Sequence, residues 1–485
     1  MSDTVFSSFL VLRPGFSFEK MPSDYEVLSP HQNLHADPNN LADSITAAAR
    51  IAQGEFLVVL SPDLVSLAPD FSEQLHAHAK ANPEGALFYG DYVVRNADGS
   101  ESAFRVHDDI GDMTEREDWG PIWAIRIEKL HRAGGLDERN PLAAFYDLLL
   151  KMQEVGQRIR ISKSLAVVAA LSQQSESEAL KVRLFFPGRG KLGGFSYLFM
   201  DPEHERQTET VFYAALKRRN AWLEGERMAV PPSTPKVSPL VSIITPVYNR
   251  AGFIGDAIAS VQGNTLADWE HIIVDNGSTD GTREVVRKLA ALDSRIKLIE
   301  NGRNIIAFSL NLALRHAHGK YISQLDSDDE YLPHTLQSMV DALETHPTWA
   351  LAISYYELMD EAGRSLPEFG VIKHLEYNRN NILRVDGAGA VRCWHRSVIE
   401  ELGGFNEKDF PNYGEDYDLV LKVGERYEIG RVHEVCYRYR RHEGNTDMLR
   451  DPITKLRSKT LARERALERR RKLNEKLAEC RSAGN

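Results

Sequence analysis

The sequence has few cysteines and no long apolar run, and each of these absences excludes certain kinds of protein and site. Three of the 485 residues are cysteines, Cys393, Cys436 and Cys480, and their spacing forms neither a CxxC pair nor a disulfide framework. No stretch of about eighteen apolar residues occurs, and the N-terminus lacks a basic segment followed by an apolar one. We therefore expect no zinc knuckle, secretion signal or membrane-spanning helix, and we expect a reducing, cytoplasmic compartment.

Net positive charge is also lacking. The formal net charge is -11, which makes the whole chain a poor general binder of nucleic acid, because phosphate contacts require a basic surface. Hydrophobic residues at 42% and charged residues at 27% are ordinary for a globular protein, and 485 residues exceed what one core usually supports. The composition predicts two globular domains, which meet anionic ligands only locally.

A proline-rich segment, VPPSTPKVSP at residues 230–239, divides the chain and indicates a linker. After it, short β-branched runs alternate with helical patterns. The predicted strands are 240–245, 271–274, 296–299 and 321–325, and the predicted helices are 253–262, 282–292 and 306–316. This alternation predicts an α/β domain with a mostly parallel sheet, in which ligands bind at the carboxyl ends of the strands.

The N-terminal half repeats parts of the C-terminal half. Residues 40–65 align with 304–330, GGLDE at 134–138 with GGFNE at 403–407, and AFYDL at 144–148 with EDYDL at 415–419. Three blocks in the same order predict a duplicated domain. The first copy has SPDL at 61–64 where the second has DSDD at 326–329, and Ala144-Phe145 where the second has Glu415-Asp416. We therefore expect the first copy to be catalytically inactive, with a structural role.

Three carboxylates, Asp326, Asp328 and Asp329, follow the predicted strand that ends at Leu325. They would repel one another unless a cation is present, and hard oxygen ligands suit Mg²⁺ or Mn²⁺. A metal that bridges a diphosphate needs only one or two such carboxylates. For the turn taken alone, the alternative is a solvated acidic loop. For Glu415-Asp416 the alternative is a pair of ordinary helix-start acids, which the helix dipole favours.

Four motifs, in this order, resemble those of glycosyltransferase family 2: VSIITPVYNR at 241–250, IVDNGSTDGT at 273–282, LDSDD at 325–329 and GEDYDL at 414–419. The resemblance covers residues 239 to about 446. It implies a GT-A fold, which is Rossmann-like, and transfer of a sugar with inversion from a nucleotide-sugar, in first place a UDP-sugar, with Mn²⁺ or Mg²⁺. It further implies a glycan or lipid-linked acceptor in bacterial surface polysaccharide assembly.

The resemblance also assigns roles to individual residues. Donor binding falls to Thr245, Pro246, Tyr248, Arg250, Asp275, Asp326 and Arg441, metal binding to Asp328 with Asp326 and His442, base catalysis to Asp416 aided by Glu415, and acceptor contact to Trp394 and His395. For Asp275 the alternative is a turn-forming residue ahead of Asn-Gly, and for Arg441 and His442 it is a basic surface loop. Asp329 would be a supporting residue or a helix N-cap.

These observations divide the chain into four segments. The predicted boundaries are 1–170 for the degenerate GT-A-like domain, 171–238 for a linker with a helical segment, 239–446 for the catalytic domain and 447–485 for a basic helical tail. The leucines of the tail form no clean stripe, and most such charge runs are solvated faces. Attraction to an anionic membrane, where a lipid-linked acceptor would lie, is the alternative, and it would place the protein at the inner face of the membrane.

Two other functions compete with glycosyl transfer. A nucleotidyltransferase would use a similar metal and nucleotide cleft, but it gives no reason for Glu415-Asp416. A non-catalytic scaffold that binds sugars or partner proteins is favoured by the altered first copy and opposed by the intact second copy.

Overall fold

The computed structural model describes residues 7–11, 25–28, 41–61, 64–114, 119–170, 201–232 and 239–483. Among these, all residues up to Arg219 belong to one compact unit and all residues from Asn220 onward belong to a second. Most of the predicted linker and residues 62–63 of the altered turn lie outside the described residues.

The first unit contains an eight-stranded sheet and five helices among its described residues. The strands are β1 (Ser7–Val11), β2 (Tyr25–Leu28), β3 (Phe56–Leu60), β4 (Leu64–Leu67), β5 (Gly85–Arg95), β6 (Glu101–Phe104), β7 (Ile122–Arg126) and β8 (Gln157–Ala169). The helices are α1 (Leu41–Ile51), α2 (Phe71–Ala81), α3 (Ile127–Arg132), α4 (Ala144–Val155) and α5 (Pro202–Arg218), with a 3-10 turn at Pro141–Ala143. The strand order is β2-β1-β3-β7-β5-β8-β4, and β6 pairs with β5.

The second unit contains a nine-stranded sheet. Its strands are β9 (Val241–Val247), β10 (Trp269–Asp275), β11 (Ile296–Glu300), β12 (Tyr321–Gln324), β13 (Glu330–Tyr331), β14 (Trp349–Met359), β15 (Val371–Ile372), β16 (Arg392–His395) and β17 (Glu428–Arg440). Its helices are α6 (Ile254–Gln262), α7 (Thr282–Leu292), α8 (Ile306–His316), α9 (Thr335–Thr345), α10 (Arg396–Glu401), α11 (Glu415–Arg426), α12 (Thr446–Leu449) and α13 (Pro452–Ala483), with 3-10 turns at Pro367–Phe369 and Asn381–Leu383.

The sheet of the second unit is mixed. Its strand order is β11-β10-β9-β12-β16-β14-β17-β13, with β15 on β14. The four strands from β11 to β12 are parallel, as predicted, and each predicted strand and helix of this region agrees with the structure to within two residues. Beyond β12 the pairings are antiparallel except between β14 and β17, so the sheet is less parallel than expected.

Burial explains why the parallel half forms. Every residue of β10 is buried, and so are six of the seven residues of β9, as expected for strands covered on both faces. Helix α6 buries Ile254, Ala257, Ile258 and Val261, whose spacing places them on one helical face. This packing fixes the carboxyl ends of β9, β10 and β12 at one edge of the sheet, where the predicted site lies.

The two units have the same strand order. The order β2-β1-β3-β7-β5-β8-β4 in the first sheet corresponds to β10-β9-β12-β16-β14-β17-β13 in the second. Each pair of neighbouring strands has the same parallel or antiparallel sense in both sheets. Several corresponding elements also have equal lengths: α1 and α8 have 11 residues, α4 and α11 have 12, and β8 and β17 have 13. The described part of the first unit has no counterpart of β11.

The predicted basic tail is the single 32-residue helix α13, and one side of it is buried. Its side chains Leu456, Ala462, Ala466 and Leu467 are at most 7% exposed. The expectation of a solvated charged face is therefore wrong for this side of the helix. None of the described helices combines the length and the apolar character that crossing a membrane requires.

Candidate active site

The acidic turn after β12 is tied to the end of β17 through Asp329. Its Oδ2 accepts a hydrogen bond of 2.8 Å from the Tyr437 hydroxyl, and its Oδ1 accepts one of 2.7 Å from the Arg440 backbone N–H. Burial, and then the charges of Asp328 and Asp326, hold the pKa of Asp329 well above its usual range. Because both of its oxygens are used, Asp329 supports the turn and does not face a ligand.

Asp328 is brought together with His442, as the resemblance implied. The His442 Nε2 lies 3.0 Å from Asp328 Oδ2, and the Arg250 Nε donates to the same oxygen at 3.1 Å. Burial opposes ionisation of Asp328, but the His442 hydrogen bond and the Arg250 charge outweigh it and lower the pKa of this carboxyl. His442 is buried, so it belongs to the site and not to a surface loop.

The donor set fits a divalent cation at Asp328 and His442. A carboxylate and an imidazole in contact are suitable ligands, and the Arg250 guanidinium here supplies the positive charge that a cation would supply. Asp326 does not complete a compact set of ligands. Of the described residues, Asp328, His442 and Asp326 do not have ligand atoms that all lie within 4.8 Å of one another.

Asp326 interacts electrostatically with groups of both the acidic turn and the start of α11. Burial, and then the charge of Asp328, raise its pKa to about 6, while the charge of Arg392 lowers it and that of Asp416 raises it further. The charges of Asp328 and of Asp416 thus both disfavour ionisation of Asp326. The structure brings these predicted residues to one place.

Arg392 is a residue of this site that the sequence did not indicate. One of its guanidinium nitrogens lies 2.7 Å from Asp416 Oδ2, and its side chain is 12% exposed. It is the first residue of β16 and stands opposite Gln324 in the antiparallel register with β12. No motif contains it, and only the pairing of these two strands places it beside Asp416.

Glu415 is buried at the start of α11. It is 7% exposed, and its Oε2 has no hydrogen-bond partner among the described residues. Burial, and then the charge of Asp416, raise the pKa of Glu415 to about 8, so it is mainly protonated at neutral pH. Gly414, with φ of 89°, turns the chain into the helix, a left-handed conformation that favours glycine.

The predicted donor-binding residues at the end of β9 differ in whether a ligand can reach their side chains. Thr245 is fully buried, and its hydroxyl donates to the Leu325 carbonyl at 2.8 Å, so it links β9 to the acidic turn and does not face a nucleotide. Pro246 is partly exposed and Tyr248 is 40% exposed. Tyr248 and Arg250 thus remain the residues of this loop that can reach a ligand.

Asp275 ends β10 as a buried carboxylate with two partners. Its Oδ2 accepts from Arg283 Nε at 3.0 Å, and its Oδ1 accepts from the Ser278 backbone N–H at 3.3 Å. The second bond is the one expected of a turn-forming residue. Contact with a nucleobase stays a prediction. Arg441, 3% exposed, is buried beside the Tyr439 ring and is not part of a surface loop.

Trp394 and His395 do not form an acceptor surface. Trp394 is fully buried and His395 is 6% exposed, because β16 is an inner strand that pairs with β12 on one side and β14 on the other. Burial lowers the pKa of His395 to about 4, so its ring is neutral. These two residues belong to the core, which corrects their predicted role.

The part of the chain that contains the acidic turn is similar in sequence to known proteins. The family model described as Glycosyl transferase family 2 matches residues 242–403. The chain is 28% identical over 267 residues to the chondroitin synthase of Pasteurella multocida (strain Pm70). The aligned part is 53% of this chain and 27% of that protein. It is 36% identical over 213 residues to EpsE of Bacillus subtilis (strain 168), which is named as a glycosyltransferase. The aligned part is 42% of this chain and 73% of EpsE.

Among solved structures, TarS of S. aureus in complex with UDP-GlcNAc shares 20% identity, with a TM-score of 0.36 over 44% of this chain and 61% of that chain. The chain spans about a quarter of the length of the chondroitin synthase. By contrast it matches most of EpsE at a clear level of identity, and the family model covers the acidic turn. The chain belongs to glycosyl transferase family 2.

Proposed function

We propose that the second unit is a metal-dependent, inverting glycosyltransferase. It moves a sugar from a nucleotide-sugar, in first place a UDP-sugar, to a hydroxyl of a glycan or lipid-linked acceptor. The observation that carries this proposal is the pairing of β16 with β12. It places Arg392 opposite Gln324, just before the acidic turn, and Arg392 in turn lies 2.7 Å from Asp416. A donor half and an acceptor half of one site thus meet at the carboxyl edge of the sheet.

The donor half consists of Asp328, His442 and the basic groups near them. Asp328 and His442 would hold Mn²⁺ or Mg²⁺, which when bound neutralises the charge of the departing diphosphate. Arg250 is already directed to Asp328, and its position after β9 suits a contact with phosphate. Tyr248, exposed in the same loop, and Asp275 are the candidates for contact with the nucleoside.

The acceptor half consists of Asp416, Glu415 and Arg392. Asp416 takes the proton of the attacking hydroxyl, which requires a carboxylate within hydrogen-bond reach of that oxygen. Arg392 holds Asp416 in position through the 2.7 Å ion pair. Glu415, mainly protonated beside Asp416, adds no second negative charge at the start of α11. A base on the side away from the diphosphate gives inversion.

The setting that fits best is assembly of a bacterial surface polysaccharide in the cytoplasm, at the inner face of the membrane. A relative is named for the synthesis of chondroitin, a polysaccharide, which supports this setting. The exposed side of α13 carries the basic residues Lys472 and Lys476 among acids such as Glu475 and Glu479, so contact with an anionic surface would depend on these two lysines. Sedimentation with anionic but not neutral vesicles would support contact of this kind, and no sedimentation would contradict it.

Nucleotide release tests the transfer reaction directly. The full chain is incubated with MnCl₂ or MgCl₂ and, in turn, UDP-glucose, UDP-GlcNAc, UDP-glucuronate and GDP-mannose. We expect metal-dependent release of a nucleoside diphosphate with one of these donors, lost in Asp328→Ala. Asp360→Ala removes a carboxylate that pairs with Arg364 at the surface and should leave release unchanged.

Two results would overturn the proposal. Hydrolysis or transfer of no donor, together with nucleotide binding that Asp328→Ala leaves unchanged, would favour a non-catalytic scaffold. Release of a sugar 1-phosphate in place of a nucleoside diphosphate would show attack at phosphorus, as in a nucleotidyltransferase, for which the Arg392–Asp416 pair has no role.

A further inference from the structure

The equal strand order of the two units allows their sites to be compared residue by residue. In the second unit Arg392 of β16 stands opposite Gln324 of β12, and in the first unit Trp123 of β7 stands opposite Val59 of β3. Each of these positions lies near the strand end where the acidic or altered turn begins. Trp123 therefore occupies the place of Arg392.

A second correspondence involves the helix that follows. Asp416 is the second residue of the 12-residue helix α11, and Phe145 is the second residue of the 12-residue helix α4. Each helix carries an (i, i+4) ion pair on its next turn, Asp418 with Lys422 and Asp147 with Lys151. The two helices are thus in the same register, and Phe145 occupies the place of Asp416.

In the first unit the ion pair has become an aromatic pair. The rings of Trp123 and Phe145 are stacked, with centroids 4.0 Å apart and planes 29° apart. The aromatic pair leaves no charge unpaired, whereas replacing only one member of the ion pair would leave a largely buried charge without its partner. Ser61 and Ala144 stand where Asp326 and Glu415 stand in the second unit, so this position carries none of the four charges.

The stack is held firmly on its inner side. Trp123 and Phe145 pack against the hydrophobic core, and the Trp123 Nε1 donates to the Gly120 carbonyl at 3.0 Å. Both side chains remain partly exposed. A fixed and partly exposed aromatic surface at the carboxyl edge of a sheet is suited to a ligand, since such edges are where α/β sheets bind their ligands.

We propose that the first unit binds a glycan on the Trp123–Phe145 surface without transforming it. The C–H-bearing face of a pyranose ring packs against the electron-rich face of an aromatic ring, and it requires neither a metal nor a charged group. The choice of a glycan rests on the proposed transfer reaction, because a glycan acceptor is the ligand expected at the corresponding position of the second unit. The first unit would then be a binding module in addition to any structural role.

The second unit supplies a variant that tests this surface. In Trp123→Arg/Phe145→Asp the aromatic pair is replaced by the ion pair that the same backbone positions carry in the second unit. Phe104→Ala serves as the matched control, because Phe104 stacks on Tyr92 elsewhere in the first unit, with centroids 5.4 Å apart. Circular dichroism and thermal unfolding establish that each variant is folded.

Binding of defined oligosaccharides to the full chain is then measured by calorimetry and saturation-transfer NMR. The probes are hexasaccharides of maltose, chitin, chondroitin and hyaluronan, with UMP as a nucleotide probe. We expect at least one hexasaccharide to bind the parent protein and Phe104→Ala alike. Its affinity should fall roughly tenfold or more in Trp123→Arg/Phe145→Asp, which corresponds to the loss of one or two aromatic contacts.

Three results would overturn the inference: no hexasaccharide binds the parent, the double variant binds as the parent does, or the double variant loses only UMP binding, which would indicate a nucleotide surface. These results are independent of transfer. If Asp328→Ala abolishes nucleotide release while the double variant keeps its glycan affinity, the proposed function stands and this inference fails. If no donor is used but the double variant loses glycan binding, the reverse holds.

Discussion

The ring of Phe253 lies 4.7 Å from the imidazole of His442 and is tilted by 35° to it. This contact, together with burial of His442, fixes the ring whose Nε2 meets Asp328 at 3.0 Å. A ligand held in place from behind loses little freedom when it binds, so the proposed metal site is preorganised on its histidine side.

Replacing this histidine should weaken metal activation. For His442→Ala we expect the concentration of Mn²⁺ that gives half-maximal nucleotide release to rise about 10- to 100-fold, the range typical when support of a metal site is lost. His433→Ala is the control, because His433 is exposed and pairs with Glu376. Equal Mn²⁺ dependence in His442→Ala and the parent would remove His442 from the proposed site.

Arg392 should matter for turnover more than for donor binding. In Arg392→Met the Asp416 carboxylate loses its 2.7 Å partner and is free to rotate away from the acceptor hydroxyl. We expect kcat to fall roughly 100-fold, within the usual range for general-base catalysis, with KM for the donor nearly unchanged. Arg287→Met, which breaks a surface pair with Glu300, should change neither constant. A rise in donor KM alone would assign Arg392 to the donor half.

Glu415 should make the protein less stable as the pH rises. Its pKa is about 8 in the folded state against 4.5 for an unperturbed glutamate, so between these values the folded state holds a proton that the unfolded chain has released. Stability then falls with rising pH, by at most about 1.4 kcal/mol per pH unit.

Urea unfolding from pH 6.5 to 8.5, with EDTA present, isolates this effect from that of Asp326, whose pKa is about 6. The free energy of unfolding of the parent should decrease over this range. The decrease should be smaller in Glu415→Gln, which cannot ionise. Identical slopes in the two proteins would show that Glu415 is ionised in the folded state throughout.

The helix α13 should stabilise the second unit through Arg469. This residue lies 2.7 Å from Glu425 and 3.3 Å from Asp418, and the side chains of both acids are at most 3% exposed. Arg469→Met leaves these buried acids without that partner, and we expect a loss of about 1–3 kcal/mol in the free energy of unfolding. Lys472→Met, at an exposed position of the same helix, should change it by less than about 0.5 kcal/mol. Equal effects of the two substitutions would contradict this role.

Local patterns in the sequence predicted what local interactions determine. The alternation of apolar strands and helices between residues 240 and 325 located those elements, because each is specified by its own periodicity. The acidic turn and the Glu415-Asp416 helix start were located by the same means. Their convergence was implied by the family resemblance and not by any local pattern.

Contacts that depend on strand pairing were not predictable in this way. Arg392 faces Asp416 only because β16 returns antiparallel to β12, and the same pairing buries Trp394 and His395. The tail gave a similar error. Its charges indicate a solvated helix, but Arg469 contacts the buried acids Asp418 and Glu425, and Lys459 pairs with the partly buried Asp386.

The three cysteines have very different surroundings, and this has a practical use. Cys393 and Cys436 are buried in the second unit, and burial raises the pKa of both thiols, that of Cys436 to about 11. Cys480 is exposed near the end of α13. A thiol-reactive fluorophore should therefore attach to the native chain at one position, so that donor and acceptor binding can be followed by fluorescence without introducing or removing a residue.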